Sequence, residues 1–369
     1  MNIIRKKKRI FCMLFGTMIL VLSSTILFAA TKRPKKPSYV TATAVKTNVN
    51  ITWRKASYAT RYAVYQYNPS KKSYTYKGYT KSCKYTVKNL KRGETYQFKV
   101  RGYRIVSKKR YYGSYSKSVS ATISKKGYST LKNYLKSALA PCGSTMYIWG
   151  GGWNKADTSA GKDAKTIGVN PNWRTFFGKQ KKNYNTSKTR YQWGNGLDCS
   201  GFVGWSIYNI RNTANNKSGY VMSSKKMAKN FASRKWGTYQ KPSKVKNYKP
   251  GDIMSTACSD CSGHVWIVIG QCSDGSVVLL HSSAPGVQLS GTQTRSGSNN
   301  SQAIKLAKQY MKKYYPSWYK KYPSNKRSKK YLSHFGQMRW NTGNSSTMMT
   351  DPDGYQNMNA QQVLKDLFS

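Results

Sequence analysis

The chain has 369 residues, with 65 Lys and Arg against 10 acidic residues and a formal net charge of +55. Such a charge points to a polyanionic partner or substrate, unless it reflects a uniformly basic proteome or growth niche. The only Glu is Glu94 and the only His are at 264, 281 and 334, which argues against a Glu-based glycosidase and against His-rich zinc hydrolases.

The chain opens with Arg5-Lys6-Lys7-Lys8-Arg9, followed by an almost unbroken apolar run from Ile10 to Ala30. A cationic leader, an apolar stretch and small terminal residues predict a secretory signal peptide over 1–30. The competing reading is a retained anchor, since roughly 20 apolar residues span a bilayer. Either way the remainder works outside the cytoplasm, secreted or associated with the wall. There, anionic wall polymers and acidic wall peptides are the expected polyanions, and no nucleic acid is. A membrane partner enters only if the leader is kept.

Residues 31–37, Thr-Lys-Arg-Pro-Lys-Lys-Pro, read as a linker. From 38 to 124, short runs alternate apolar and polar residues between turns, as in Val49–Trp53, Tyr62–Tyr65 and Thr95–Val100. This period of two predicts the half-buried strands of a sandwich. The positions resemble a fibronectin type III domain. Trp53 matches the early core Trp, Leu90 and Tyr96 the tyrosine-corner region, and Tyr112–Ser116 the segment before the last strand. The expected role is a spacer or a wall-binding module, because Glu94 is the one acid in a segment rich in Lys and Arg.

The pattern changes near 125, so residues 125–369 are expected to form a second domain. Leu131 to Leu139 predicts a short helix closed by Pro141 and Gly143, and Ser301 to Tyr314 predicts another. Lys and Arg are absent from 251 to 294, which marks a segment buried in a core or lining a site. Within it, Gly263–Gly270 and Ser276–His281 predict two strands joined at the Asp274-Gly275 turn. A hairpin closed about Ser273 sets residue 282 opposite His264, and a slip of one residue makes that partner 281 or 283.

The segment Leu197-Asp198-Cys199-Ser200-Gly201-Phe202 precedes apolar residues at helical spacing, Val203, Ile207 and Ile210. Asp198 is a suitable N-cap, which sets Cys199 in the first helical turn. The helix N-terminus favours a thiolate there, and with a nearby His it predicts a thiol pKa of roughly 3.5–7.5. A Cys alone at a helix start is more often a small buried residue. The level placement of His264 and His281 supplies the base and its orienting partner, the Cys-His-X logic of thiol hydrolases.

These residues resemble the NlpC-type bacterial cell-wall cysteine peptidases. The resemblance rests on Tyr147-Ile148-Trp149-Gly150-Gly151, Asp198 to Phe202, Pro250-Gly251-Asp252-Ile253 and Gly263-His264-Val265, in the family's order. It implies an α+β papain-like hydrolase domain with a core of about 140–290, following the all-β sandwich in a multidomain chain. By resemblance Cys199 is the nucleophile, His264 the base and His281 its orienter. Tyr147 sits beside the nucleophile, while Asp198, Ser200 and Trp149 contact the stem peptide; the alternative for Asp198 is a cap alone.

Two departures stand out. Residues 152–196 form an insertion carrying Trp153, Trp173, Phe176, Phe177, Tyr184, Tyr191 and Trp193, either a cleft wall or a separate apolar cluster. The tail over 295–369 has no counterpart in the minimal domain. Among the remaining cysteines, Cys142, Cys258, Cys261 and Cys272 permit a disulfide of undetermined pairing, or stay free. Cys258 and Cys261 before His264 lack a convincing fourth metal ligand, so no metal and no cofactor is expected. His334 reads as structural or solvent-facing.

The function expected is a secreted hydrolase of stem-peptide amide bonds in peptidoglycan. The alternatives are an N-acetylmuramoyl-L-alanine amidase using the same Cys-His pair, and a non-catalytic wall-binding or adhesion protein.

Overall fold

The computed structural model describes residues 32–125, 129–211, 218–258, 262–343, 346 and 348–369; the leader expectation over 1–30 lies outside them. Among the described residues no helix is long and apolar enough to cross a membrane.

The segment expected as a sandwich is all strand. It comprises β1 (Ser38–Val45), β2 (Asn48–Arg54), β3 (Arg61–Asn68), β4 (Ser73–Thr80), β5 (Lys84–Val87), β6 (Thr95–Val106), β7 (Lys109–Tyr115) and β8 (Val119–Thr122). One sheet runs β1-β2-β5; another runs β4-β3-β6-β7, with β8 also on β6. The described chain divides into two compact units, and the division runs through this segment rather than at 124. The first unit holds residues up to 40, 54–83 and 98–118; the second holds 41–53, 84–97 and 119–369.

In the first unit, Phe98 and Val100 are buried on either side of a part-exposed Lys99, whereas Tyr62, Ala63 and Val64 are buried in succession rather than alternating. Two of its part-buried cations lie over tyrosine rings, Lys99 4.3 Å from the Tyr74 centroid and Arg101 4.4 Å from that of Tyr112. Such contacts let a strongly basic sheet keep its charges close to apolar surface. In the second unit, Val49, Ile51 and Trp53 of β2 are fully buried. The Tyr96 hydroxyl accepts the backbone N–H of Lys91 at 2.9 Å, the hydrogen bond that defines a tyrosine corner.

The rest of the second unit is α+β. Its helices are α1 (Leu131–Leu139), α2 (Pro171–Lys179), α3 (Cys199–Arg211), α4 (Met227–Ser233), α5 (Gln302–Tyr314), α6 (Pro316–Lys321) and α7 (Ala360–Leu367). A short parallel pair joins β9 (Ser129–Thr130) to β17 (Met349–Thr350). The main sheet contains β10 (Gly237–Gln240), β11 (Ile253–Thr256), β12 (Val265–Gln271), β13 (Val277–Ser283), β14 (Gly286–Thr292), β15 (Lys326–Arg327) and β16 (Phe335–Trp340). Its order is β10-β16-β11-β12-β13-β14-β15.

Both faces of this sheet are covered, which explains the segment without Lys and Arg. Val265, Ile267 and Ile269 of β12 enter one core with α1 and α3 residues. Trp266 and Val268 enter another with Tyr248, Leu332 and Phe335. Alternate residues of one strand serve two cores, so a continuous apolar run is required and a charge has no place.

The tail is not an appendage. β16 lies between β10 and β11, and β15 closes the edge beside β14. The main sheet therefore extends beyond 290: without 326–340 it loses an interior strand and an edge strand. The two helices read from the sequence appear at Leu131–Leu139 and Gln302–Tyr314. The Ser301 side chain caps the second, accepting the N–H of Ile304.

Asp252 fixes β16 to the turn before β11. Its carboxylate accepts Arg339 Nη2 at 2.8 Å, Gln337 Nε2 at 2.8 Å and the backbone N–H of Lys249 at 2.8 Å. Burial pushes this carboxyl up to about 6 although Arg339 opposes the shift. Asp252→Ala removes the carboxylate from the Arg339 guanidinium, the Gln337 amide and the Lys249 N–H, leaving the first two only the Asn247 carbonyl as acceptor. The expected loss is about 3 kcal/mol, at the lower end for a broken buried pair because Arg339 is partly exposed. A urea titration followed by circular dichroism measures it; a midpoint equal to the parent's contradicts it.

Candidate active site

Cys199 opens α3, and the loop before it is pinned on three sides. Leu197 donates its N–H to the Met146 carbonyl at 3.2 Å, and Asp198 donates to Gly151 at 2.9 Å. The Ser282 hydroxyl donates to the Leu197 carbonyl at 2.6 Å. The Asp198 carboxylate accepts the Gly201 N–H at 2.6 Å and the Ser200 hydroxyl at 2.8 Å. This is the N-cap expected from the sequence, bonding to the third helical residue.

Ser200 in turn accepts Trp153 Nε1 at 2.9 Å. Asp198 and Ser200 are both buried. The structure thus ties the two proposed substrate contacts to one another and to the insertion, with Asp198 acting as a cap. Burial pushes the Asp198 carboxyl up to about 6.

The backbone N–H groups of Val265, Ser200 and Cys199 itself favour a thiolate at the Cys199 sulfur. Val265 directly follows His264, so the thiol lies against the start of β12. The sequence expectation of an acidic thiol is reversed: burial, reinforced by the Asp198 charge, pushes Cys199 up to about 12. The helix start and the three N–H donors oppose this shift without overcoming it.

Tyr147 stands beside both groups. Burial, together with the Cys199 and Asp198 charges, pushes its hydroxyl well above the usual range, so it remains a protonated donor. Its backbone is held by the Pro285 carbonyl at 2.8 Å and by the Tyr184 hydroxyl at 2.7 Å.

His264 and His281 meet as the sequence predicts, Nε2 of His264 lying 3.0 Å from Nδ1 of His281. The register Ile267↔Leu280 and Val268↔Leu279 is interrupted by a bulge before Gly270. Carried back to His264, it sets Ser283 opposite and His281 on the diagonal, a slip of one from the symmetric hairpin. Thr256 clamps the His264 backbone from both sides, accepting its N–H at 2.8 Å and donating to its carbonyl.

Burial, with the Arg327 charge adding to it, pushes His264 down to about 3 and His281 well below the ordinary histidine range. The folded state therefore disfavours both protons. The stability these rings contribute is complete above pH ~6.5 and is lost as pH falls toward their folded values. In a proton NMR titration the His264 and His281 ring signals are expected to hold their neutral positions down to about pH 5. Ring signals from either residue moving with a midpoint near 6.5 would contradict that.

Sequence reasoning missed Arg327 and Tyr331. Arg327 Nη2 lies 3.1 Å and Nε 3.2 Å from His281 Nε2, which also contacts Ser290 Oγ at 3.1 Å. The Tyr331 ring lies 5.8 Å from that of His264 and 6.4 Å from that of His281. Nothing in the tail's run of Lys, Arg and Tyr marks these two residues, because only the fold carries them back to the hairpin.

The aromatic residues of the insertion divide between buried and exposed positions. Trp173 and Phe177 are buried, with Trp173 edge-on to Trp205 of α3 at 5.7 Å. Tyr191 and Trp193 are exposed and face each other at 5.4 Å. Trp149 is 51% exposed with the Arg190 guanidinium 5.1 Å over its ring, and its carbonyl accepts the Tyr191 N–H. Trp149 is thus available to a ligand, whereas Trp173 and Phe177 are core.

Cys83, Cys142, Cys199 and Cys272 are not in disulfides. Cys258 is disulfide-bonded, and Cys261 lies outside the described residues. His334 is partly exposed and bonded to the Ser333 hydroxyl at 2.8 Å.

No protein-family model matches the chain, and no curated protein does. Solved structures similar to it are fibronectin type III domains that cover about a quarter of its length. The domain FN3tt is 18% identical, covering 26% of this chain and 98% of its own at a TM-score of 0.23. The sixth fibronectin type III domain of a human protein containing such domains is 17% identical, covering 25% and 88% at 0.22. An Fn3-like protein from Clostridium thermocellum is 21% identical, covering 24% and 93% at 0.20. These matches supply no relative for an NlpC-type peptidase domain.

Proposed function

We infer that the protein is an exported cysteine hydrolase that cleaves amide bonds in the stem peptides of peptidoglycan. The observation that carries this reading is a thiol at a helix start next to the backbone N–H of Val265, the residue after His264, together with the hydrogen bond between His264 and His281. In this reaction the Cys199 sulfur attacks the amide carbonyl carbon while its proton passes to His264. The backbone N–H of Cys199 and the Tyr147 hydroxyl are the donors available to the oxyanion. Collapse of the adduct breaks the C–N bond, and His264 returns the proton to the departing amine. Water then hydrolyses the thioester with His264 as base.

The chemistry needs neither metal nor cofactor. Trp149, exposed beside the loop that carries Tyr147, is the group offered to the stem peptide. The excess of Lys and Arg suits the carboxylates of stem peptides and anionic wall polymers. The fibronectin type III-like segment serves as a basic spacer or wall-binding module, and export follows from the leader. Digestion of purified sacculi followed by mass spectrometry of the muropeptides tests the reading. New free amines within the stem support it. Loss of the muramoyl–alanine linkage points instead to an amidase, and an unchanged muropeptide profile to a binding protein.

A further inference from the structure

We propose that Arg327 is a positioning residue that locks the His264–His281 pair in a tautomer unable to accept the Cys199 proton, so that catalysis requires its release. The proposal rests on reading Cys199 as a hydrolytic nucleophile, and it follows from counting protons along one chain of contacts. A guanidinium offers only donors, and two of its nitrogens face Nε2 of His281 at 3.1 and 3.2 Å. That nitrogen must accept, so the proton of neutral His281 sits on Nδ1.

His281 Nδ1 is 3.0 Å from Nε2 of His264, and it therefore donates. His264 Nε2 accepts, and neutral His264 carries its own proton on Nδ1, the nitrogen left for Cys199. In this state neither nitrogen of His264 has a lone pair free for the thiol proton. Forming the imidazolium puts a proton on Nε2 and forces the His281 proton across to its own Nε2, against Arg327.

When the guanidinium withdraws, the Ser290 hydroxyl, already 3.1 Å from His281 Nε2, can accept that proton. His281 Nδ1 then accepts from His264 Nε2–H, and His264 Nδ1 is free to take the thiol proton. No proton is gained or lost by the pair in this rearrangement. The titratable and charged groups facing the pair are Arg327 and Tyr331 from the tail, and Tyr331 in turn faces Cys199. Among these Arg327 alone is a fixed cation, which is why it sets the proton positions.

Alkylation of Cys199 by iodoacetamide reads the thiolate directly and needs no wall substrate. Peptide mapping by mass spectrometry separates it from Cys83, Cys142 and Cys272. Arg327→Met keeps the length and removes the donors, whereas Arg327→Lys keeps a cationic donor. With both variants folded by circular dichroism, Arg327→Met is expected to alkylate at pH 7 about tenfold faster than the parent, its pH midpoint lower by about one unit. Arg327→Lys is expected to match the parent, and adding His281→Ala to Arg327→Met to cancel the gain. Equal or slower alkylation of Arg327→Met, or equal gains from Met and Lys, would overturn the proposal. An inert wall digest with these alkylation rates as expected would overturn the hydrolase reading alone.

Discussion

Cys199→Ala is expected to lower the rate of stem-peptide cleavage by at least about a thousandfold while leaving the protein folded. The magnitude follows from the nucleophile's place in a unit that loses most of its advantage when any member is removed. Cys199 is 8% exposed and packs within the larger core, so losing one sulfur costs about 1–2 kcal/mol of stability, small beside the catalytic loss. Thermal unfolding of the variant together with its rate on a soluble muropeptide separates the two effects. Residual cleavage within tenfold of the parent would move the nucleophile elsewhere.

Gly201→Ala is the second large effect, and it acts through packing. A methyl at Gly201 would be driven into the carbonyl oxygen of Gly151 and against Cα of Gly152. Neither is the end of a flexible side chain, so the whole Tyr147–Gly152 loop must retreat from α3. Gly152 itself has φ +98°, a left-handed geometry that a side chain resists, so it cannot be the residue that yields. The retreat breaks the Asp198–Gly151 hydrogen bond that anchors the Cys199 turn and carries Tyr147 away from the sulfur. The expected cost is about 3 kcal/mol of stability, the upper part of the range for overpacking. A cleavage rate reduced beyond what the folded fraction explains should accompany it. Parent-like unfolding and activity in Gly201→Ala would show that the loop is not held by this contact.

Local signals were strong where chemistry and chain direction coincide. Asp198 caps α3 because a short acidic side chain before an apolar helical run has one favourable use. His264 meets His281 because an Asp-Gly turn sets two neighbouring strands in a register known to within one residue; the bulge before Gly270 supplies that slip. Trp53 and Tyr96 report core and corner because their neighbours alternate with period two. What could not be read locally came from distant pairing. β16 enters the sheet between strands from elsewhere in the chain, and its apolar residues Phe335, Met338 and Trp340 sit in a tail whose composition reads as solvated. Arg327 and Tyr331 reach the histidine pair only through that topology. The ionisation of Cys199 is not legible locally for a related reason: a helix start favours a thiolate, but the burial that opposes it depends on the surrounding fold.

The most direct test is the covalent intermediate itself. Rapid acid quenching of the protein mixed with a purified stem peptide, followed by peptide mapping, should find an acyl group on the tryptic fragment containing Cys199. Its mass should equal that of the peptide's N-terminal portion less one water, and it should be absent in Cys199→Ala. Turnover with no adduct on that fragment, or an adduct on another residue, would contradict the assignment of Cys199 as the nucleophile.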